Sequence, residues 1–264
     1  MDKQVFFLAG VPRSGSTVLA SLLNQNPSIC VTQTSPILDM LQLITANWKP
    51  LSINVLNQSP DQLVNMLNGA FNSSYSHIDS KYIIDKHRSW PRNIDYINTI
   101  TNKPVKVICT TRDISEIISS FIILFEKTEN RSYIDNELIQ ANKPLNAATR
   151  ARLLWEKYIN MPWTSLKYGY EQHRDCIEFF DYTDIVSNPQ ETLQRVYSFL
   201  EIEYYPHHTF NNLSPMKEND IAWGIEGLHH IRPELKRVSP AASDILGKDL
   251  ANYYNSLNLE FWKK

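Results

Sequence analysis

Glycine is scarce in this sequence, with seven residues in 264, and neither sign of charge dominates. The 26 basic and 28 acidic side chains leave a formal net charge of −2. A protein that holds nucleic acid through bulk electrostatics needs a basic excess to neutralise phosphates, so that class is excluded. We therefore expect no nucleic-acid partner, and any bound anion must be held locally.

Cysteine is also rare. Cys30, Cys109 and Cys176 are far apart, odd in number and without Cys-x-x-Cys spacing. These features argue against a disulfide framework and against a zinc site. We expect all three to be small, buried, apolar residues.

Long apolar runs are missing from the start of the chain. The longest run there, Val5 to Val11, is too short to span a membrane. The start also lacks the charged n-region and the long apolar h-region of a signal peptide. The sequence therefore predicts a soluble, cytoplasmic protein without a membrane span.

Short apolar runs alternate with helical patterns along the chain, and no repeat or linker interrupts them. The runs predict strands at 5–9, 82–85, 105–110 and 176–182. Helices are predicted near 16–26, 36–47, 60–72, 113–127, 146–160, 189–200 and 240–256, with a loop at 128–145 and irregular structure at 206–240. This order predicts a single α/β domain over 1–264, with a central, mostly parallel sheet flanked by helices.

The first strand and the first helix are joined by Gly-Val-Pro-Arg-Ser-Gly-Ser-Thr at residues 10–17. The spacing is that of a P-loop, in which backbone N–H groups and a helix N-terminus bind phosphate. Ser16 stands where a P-loop carries lysine, and Arg13 can supply the cation instead. Two alternatives are a turn that only caps the helix, and a kinase loop for ATP and Mg²⁺ with Asp85 as the metal-binding acid.

The hexapeptide Pro12–Thr17 resembles the 5'-phosphosulfate-binding loop of sulfotransferases that use 3'-phosphoadenosine 5'-phosphosulfate (PAPS). The tyrosylprotein and many bacterial members carry arginine at the Arg13 position. The resemblance implies a P-loop-like fold, no metal, and adenosine 3',5'-bisphosphate (PAP) as the product. It also implies that Arg13 stabilises charge on the transferring group. The implied 5'-phosphate contacts are Ser14, Gly15, Ser16 and Thr17.

A strand that ends in arginine follows later in the chain. Arg112 ends the run 105–112, and Ser120 lies about two helical turns further on. Ligands of parallel sheets bind at the carboxyl ends of strands, and an arginine fork with a hydroxyl suits a terminal phosphate. The pattern resembles the family's 3'-phosphate motif. A salt bridge from Arg112 to Asp113 or Glu116 is the structural alternative.

Two further segments resemble the family less specifically. The segment Phe180–Pro189 is similar to a Tyr-Glu-Asp segment, which implies that Tyr182 approaches the adenine, although such a stretch is often only structural. Gly227–Pro233 loosely resembles a C-terminal loop that folds over the cofactor. That resemblance implies that Arg232, Lys236 or Arg237 reaches the 3'-phosphate.

The sequence also departs from the family's pattern. Val18 stands where many cytosolic members carry a tryptophan that stacks on adenine. The stretch Val31–Thr34 has no carboxylate where the tyrosylprotein members carry a catalytic glutamate. A protein-tyrosine acceptor is therefore not expected.

The end of the second predicted strand, Asp85-Lys86-His87, offers residues for the transfer chemistry. The resemblance implies that Lys86 contacts the leaving group. A base must take the acceptor's proton, and histidine titrates near neutral pH, which favours His87 over Asp85. His229 and His230 are candidates if their segment folds over the site.

The three main resemblances lie in the family's order between residues 5 and 200. They predict a PAPS-dependent sulfotransferase that acts on a hydroxyl or amine group. The acceptor stays open among sugars, lipids, small alcohols and phenols, and the oligomeric state is not predicted. The alternatives are a P-loop kinase that uses ATP and Mg²⁺, and a non-catalytic nucleotide-binding module.

Overall fold

The fold is organised around one parallel β-sheet. The computed structural model describes residues 3–51, 60–127, 132–216, 218–220, 225, 227–238 and 241–258. The strands in this part of the chain are Gln4–Gly10 (β1), Ile29–Thr34 (β2), Tyr82–Lys86 (β3), Val107–Thr111 (β4) and Ile177–Asp181 (β5). They run parallel in the order β2-β3-β1-β4-β5, which confirms the predicted α/β class.

Helices connect the strands and cover both faces of the sheet. They are Ser16–Leu23 (α1), Ile37–Leu51 (α2), Pro60–Ser74 (α3), Ile94–Thr101 (α4), Ile114–Lys127 (α5), Tyr133–Gln140 (α6), Ala147–Leu154 (α7), Asn160–Gln172 (α8), Tyr182–Ser187 (α9), Pro189–Leu200 (α10), Ala242–Leu246 (α11) and Lys248–Ser256 (α12). A π-helical turn, Trp155–Ile159, joins α7 to α8. Among the residues that the structure describes, no helix is long and apolar enough to cross a membrane.

Strand alternation decides which side chains of β3 face the two halves of the core. Ile83 packs in the core on one face of the sheet, and Ile84 packs in the core on the other. Because successive side chains of a strand point to opposite faces, Asp85 projects on the Ile83 side and Lys86 on the Ile84 side. The two neighbours therefore enter different environments.

The register aligns the carboxyl ends of the central strands. Leu8 of β1 pairs with Lys86 of β3, and Gly10 pairs with Thr110 of β4. The residues that follow these strands consequently meet at one edge of the sheet, where the predicted motifs lie.

The edge strand β2 was not among the predicted strands. Its residues alternate between buried and more exposed positions, with Ile29 and Val31 buried. Only two buried apolar side chains identify it, so it lacks the continuous apolar run that marks the inner strands.

The predicted loop at 128–145 is wrong over α6. Ser132 caps this helix, since its hydroxyl accepts the backbone N–H of Asp135 at 3.1 Å. Ile134 and Leu138, one turn apart, are the apolar side chains that α6 buries. With so few apolar positions, helical periodicity was too weak to be recognised.

Two smaller expectations are corrected in part. Cys109 is buried as predicted, but Cys30 and Cys176 are partly exposed, and all three are free thiols. The predicted closing helix is interrupted at Gly247, whose φ of 79° separates α11 from α12.

Candidate functional site

A cavity of about 390 Å³ opens at the carboxyl edge of the sheet. Its walls come from the loop 10–17, the ends of β3 and β4, helix α5 and the segment 227–238. The predicted site residues that line it are Arg13, Gly15, Ser16, Thr17, Lys86, His87, Arg112, Ser120, Tyr182 and Arg232. Ser14, Asp85 and the alternative candidate Arg237 are not part of this lining.

The loop after β1 packs tightly against β4. A Cβ atom on Gly10 would lie 2.1 Å from Thr110 Oγ1 and 2.7 Å from the Thr110 carbonyl oxygen, so only glycine fits there. Positive φ angles at Arg13 (61°) and Gly15 (88°) turn the chain into α1. These two positive angles are separated by Ser14. A backbone that alternates in this way turns successive N–H groups toward one concavity, which is the geometry of an anion-binding loop.

Ser14 supports the loop from below. Its hydroxyl donates to the Val11 carbonyl at 2.6 Å and lies 2.6 Å from Thr110 Oγ1, and the residue is fully buried. The side chain is thus used inside the protein. A phosphate contact predicted for Ser14 could come only from its backbone N–H.

Arg13 connects the loop 10–17 to two distant parts of the chain. Its Nε donates to Ser120 Oγ at 3.2 Å, and its Nη1 donates to the Leu228 carbonyl oxygen. Burial and the nearby Arg112 guanidinium lower the pKa of Arg13 to about 10, so the group stays charged at neutral pH. The site therefore holds a desolvated cation beside the loop.

Arg112 is held by four partners at the end of β4. Its Nε pairs with Glu116 at 3.0 Å, its Nη1 donates to the Arg13 carbonyl at 3.1 Å, and its Nη2 donates to the Val238 carbonyl. Its guanidinium carbon lies 4.1 Å from the centre of the Tyr182 ring. The Glu116 salt bridge that the sequence offered as an alternative is present, and the same guanidinium also lines the cavity.

Lys86 forms a buried ion pair that the sequence did not predict. Its Nζ lies 2.5 Å from Glu218 Oε1, and the Glu218 side chain is only 4% exposed. Glu218 also accepts the backbone N–H of Thr34 at 3.3 Å. Burial lowers the pKa of Lys86, while Glu218 opposes that shift. A carboxylate thus does stand beside the Val31–Thr34 stretch, supplied from a distant part of the chain.

Asp85 lies in the core, away from the cavity. It is 0% exposed, and it accepts hydrogen bonds from Tyr75 Oη at 2.8 Å and Trp90 Nε1 at 2.9 Å. Burial raises its pKa, while these donors oppose the shift. Strand alternation separates it from Lys86, and Asp85 does not line the cavity with the other predicted residues.

His87 lines the cavity with both ring nitrogens close to partners. Its Nδ1 accepts the backbone N–H of Ser89 at 3.2 Å, and its Nε2 lies 3.5 Å from Asp39 Oδ2. The ring also packs edge-on against Trp90, with a centroid separation of 6.2 Å. The predicted base is therefore at the site but engaged on both sides.

The segment 227–238 covers the loop and brings a second histidine into the cavity. His229 Nδ1 lies 2.6 Å from Asp220 Oδ1, and the His229 backbone N–H donates to Asp220 Oδ2 at 3.2 Å. Burial lowers the pKa of His229, and hydrogen bonding to Asp220 opposes that shift. His230 and Arg232 line the same cavity, and Arg232 is exposed.

Sequence reasoning missed Glu218 and Asp220. Both lie in the irregular region 206–240, where no periodicity shows which side chains face the core. The only available signal was the pair of histidines at 229 and 230, because a histidine that acts as a base is often hydrogen-bonded to a carboxylate. Among the described residues, no group of three or more His, Cys, Asp or Glu side chains could hold a metal ion.

A P-loop-like turn, several arginines that line the cavity and a parallel sheet are the features of a site for phosphate-like anions at strand ends. A sequence model of the sulfotransferase family matches residues 5–206, which is more than half of the chain. The chain therefore belongs to the sulfotransferase family. The family and the fold support sulfotransferase activity. No curated protein sequence matches the chain.

Solved structures share the fold at low sequence identity. Mouse sulfotransferase SULT7A1, crystallised with PAP, is 15% identical with a TM-score of 0.54, over 99% of this chain and 87% of that one. Retinol dehydratase, crystallised with androsterone and inactive cofactor PAP, is 15% identical with a TM-score of 0.54, over 96% and 78%. The sulfotransferase domain of the curacin biosynthetic pathway is 15% identical with a TM-score of 0.51, over 99% and 93%.

Proposed function

We propose that this chain transfers a sulfuryl group from PAPS to a hydroxyl or amine group of an acceptor. The observation that carries the proposal is the convergence of two motifs about a hundred residues apart in sequence. Arg112 Nη1 donates to the Arg13 carbonyl at 3.1 Å, and Arg13 Nε donates to Ser120 at 3.2 Å. A donor that carries anionic groups at both its 3' and 5' positions suits two such cations in one cavity.

The residues present fit that donor. Carbonyl oxygens of Leu228 and Val238 accept hydrogen bonds from the guanidinium groups of Arg13 and Arg112, and phosphate oxygens can accept the same bonds. The N–H groups of Gly15, Ser16 and Thr17 lie at the start of α1, where a helix favours anions. The Arg112 guanidinium lies over the Tyr182 ring, and Arg232 lies at the cavity wall, where we assign it to the 3'-phosphate.

Arg13 and Lys86 supply the positive charge that the reaction needs. As the bond between sulfur and the 5'-phosphate oxygen breaks, negative charge grows on the departing phosphate, and fixed cations stabilise it. Lys86 is held at the cavity wall by Glu218. We place the acceptor on the β2–β3 side, near Thr34, His87 and Arg88. These residues line the cavity, His87 and Arg88 directly follow Lys86 in the chain, and Thr34 pairs with Lys86 in the sheet.

The kinase alternative is weakened by where Asp85 lies. A P-loop kinase needs an acid beside the phosphates to hold Mg²⁺. Asp85 was the candidate that the sequence offered, and its carboxylate is buried against Tyr75 and Trp90 on the other face of the sheet. Ser16 also stands where the kinase would carry lysine. We infer that residues 1–264 act as one domain, since one sheet carries all the motifs.

Calorimetric binding and a labelled-transfer assay test the proposal. The protein is titrated with PAP, 5'-AMP, and ATP with and without Mg²⁺, and then mixed with ³⁵S-labelled PAPS and a panel of sugars, sterols, simple alcohols and phenols. We expect PAP to bind without metal and at least one panel member to be labelled. Tighter binding of ATP with Mg²⁺ would favour the kinase. PAP binding without transfer to any member would favour the non-catalytic module.

A further inference from the structure

Three histidines line the cavity, and two of them, His87 and His229, have side-chain partners that fix which ring nitrogen is free. His87 Nδ1 accepts the Ser89 N–H, and an accepting nitrogen carries no proton. Neutral His87 therefore carries its proton on Nε2, which faces Asp39 at 3.5 Å. In this tautomer the only ring lone pair of His87, on Nδ1, already accepts the Ser89 N–H and is not free to accept a proton from an acceptor.

His229 has the opposite arrangement. Its Nδ1 lies 2.6 Å from an Asp220 carboxylate oxygen, and an ionised carboxylate only accepts hydrogen bonds. Neutral His229 therefore carries its proton on Nδ1 and keeps its lone pair on Nε2. The second Asp220 oxygen accepts the His229 backbone N–H, so one carboxylate holds both the ring and the backbone of this residue.

His229 also stands beside the cations that we assign to the transfer. The preceding residue, Leu228, accepts a hydrogen bond from Arg13, and His229 lines the same cavity as Arg13 and Lys86. Glu218 joins Lys86 to the C-terminal region that carries Asp220. The region around His229 is thus held to the loop through Leu228 and to β3 through Glu218.

We propose that His229, oriented by Asp220, is the general base that accepts the acceptor's proton, in place of His87. The inference depends on the proposed function. The acceptor oxygen forms a bond to sulfur while sulfur's bond to the 5'-phosphate oxygen breaks. PAP leaves with that electron pair, and the acceptor proton moves to His229 Nε2 and later to water. The products are PAP, the sulfated acceptor and one proton.

Burial, more than the surrounding charges, keeps this histidine neutral. Burial lowers its pKa and Lys86 lowers it further, while Asp220 and Glu218 raise it. Because the net shift is downward, the ring is unprotonated at neutral pH, as a base must be. Transfer should rise with pH through a midpoint below the usual histidine value of about 6.5.

The first test measures transfer from ³⁵S-labelled PAPS to the panel member labelled most strongly, or to water if none is labelled. His229→Gln should lower kcat about 10²–10⁴-fold and remove the rise with pH, while the Kd for PAP stays within about threefold. His77→Gln, an exposed histidine outside the cavity, is the matched control and should behave as wild type. Full activity of His229→Gln, with the loss falling on His87→Gln, overturns the inference.

Asp220→Asn separates positioning from simple structural support. Loss of the carboxylate removes a contribution that raises the pKa of His229, so the rise of kcat with pH should move to lower pH. The asparagine no longer fixes the tautomer, so kcat should fall by roughly 10- to 100-fold. A variant with lower kcat but an unmoved pH profile would contradict the positioning role.

Nuclear magnetic resonance tests the tautomers without any acceptor. Long-range ¹H–¹⁵N spectra of the ¹⁵N-labelled full chain, assigned with the two glutamine variants, should show Nδ1–H for His229 and Nε2–H for His87. Nε2–H at His229 overturns the inference whatever the activity. If PAP fails to bind while these tautomers are found, the proposed function fails and the arrangement of the histidines stands. If PAP binds and His229→Gln transfers normally, only the base assignment fails.

Discussion

The guanidinium of Arg13 donates through Nε to the hydroxyl of Ser120 at 3.2 Å, although 107 positions separate the two residues. Arg13 belongs to the loop after β1, and Ser120 lies on the helix after β4. Because β1 and β4 are neighbours in the sheet, their following segments meet at one edge. The contact joins the two predicted anion-binding motifs into one site.

Replacing Arg13 should affect transfer more than folding. Arg13→Ala removes the cation that we assign to the departing phosphate, and removal of one stabilising donor typically costs about 10²–10³-fold in kcat. Arg13→Lys keeps the charge but loses the fork, and should retain more activity than the alanine variant. Labelled transfer at saturating PAPS measures kcat for both variants, and thermal unfolding checks that both are folded. Transfer by Arg13→Ala within about threefold of wild type would contradict the role.

The preference for PAP over 5'-AMP should depend on Arg112 and Ser120. A charge-assisted contact contributes about 1.5–3 kcal/mol. Arg112→Ala should therefore narrow the ratio of the two Kd values at least tenfold, and Ser120→Ala should narrow it less. Equal binding of the two nucleotides by the wild type would refute the 3'-phosphate assignment.

Ser119→Ala is the matched control for this series. Ser119 is fully buried next to Ser120, and its hydroxyl has no hydrogen bond within the described residues. Its removal should leave the Kd ratio unchanged. A change as large as that of Ser120→Ala would mean that the helix, and not the hydroxyl, sets the preference.

Gly10 should tolerate no side chain, whereas Gly69 should. The Cβ of Gly10→Ala would lie 2.1 Å from Thr110 Oγ1, and such overpacking costs about 1–3 kcal/mol. Gly69 lies in α3 with nothing within 4 Å of its added Cβ, so Gly69→Ala should stabilise by about 0.5–1 kcal/mol. Urea unfolding measures the free energy of unfolding of both variants. A Gly10→Ala variant as stable as Gly69→Ala would contradict the close packing of Gly10 against Thr110.

The parts of the fold that could be predicted are those with local signals. The buried run of β1, the glycines of the loop 10–17 and the arginine that ends the β4 run each carry their information within a few residues. The parallel order of the sheet then places the loop beside Arg112. Most of the predicted site residues meet for that reason.

The residues that could not be predicted are placed by contacts distant in sequence. Glu218 meets Lys86 across 132 positions, in a region with no regular periodicity. The side of Asp85 depends on where β3 ends. Because the strand runs through Lys86, alternation sends Asp85 into the core on the face opposite Lys86. A short motif does not contain that information.

Asp85 should act as a structural residue, and its variants test this directly. Asp85→Ala leaves the Tyr75 hydroxyl and the Trp90 N–H buried without an acceptor, and each unsatisfied group costs about 1–3 kcal/mol. Asp85→Asn keeps a carbonyl acceptor and should be the milder change. In urea unfolding at neutral pH, the free energy of unfolding of Asp85→Ala should be well below that of Asp85→Asn. A folded Asp85→Asn that binds PAP but transfers nothing would make the carboxylate the base after all.

The pH dependence of stability gives a second test of the same carboxylate. Burial raises the pKa of Asp85 in the folded protein above the unfolded value of about 3.9. A raised folded pKa means that the neutral form is preferred, so the stability that it contributes is full below about pH 3.9 and is lost as the pH rises through the folded pKa. Asparagine does not titrate, so the free energy of unfolding of Asp85→Asn should fall less than that of wild type between these limits. Unfolding curves for both proteins from about pH 4 to 8 give the difference. A constant difference across that range would mean that the pKa of Asp85 is not raised, and that its hydrogen-bond donors fully offset the effect of burial.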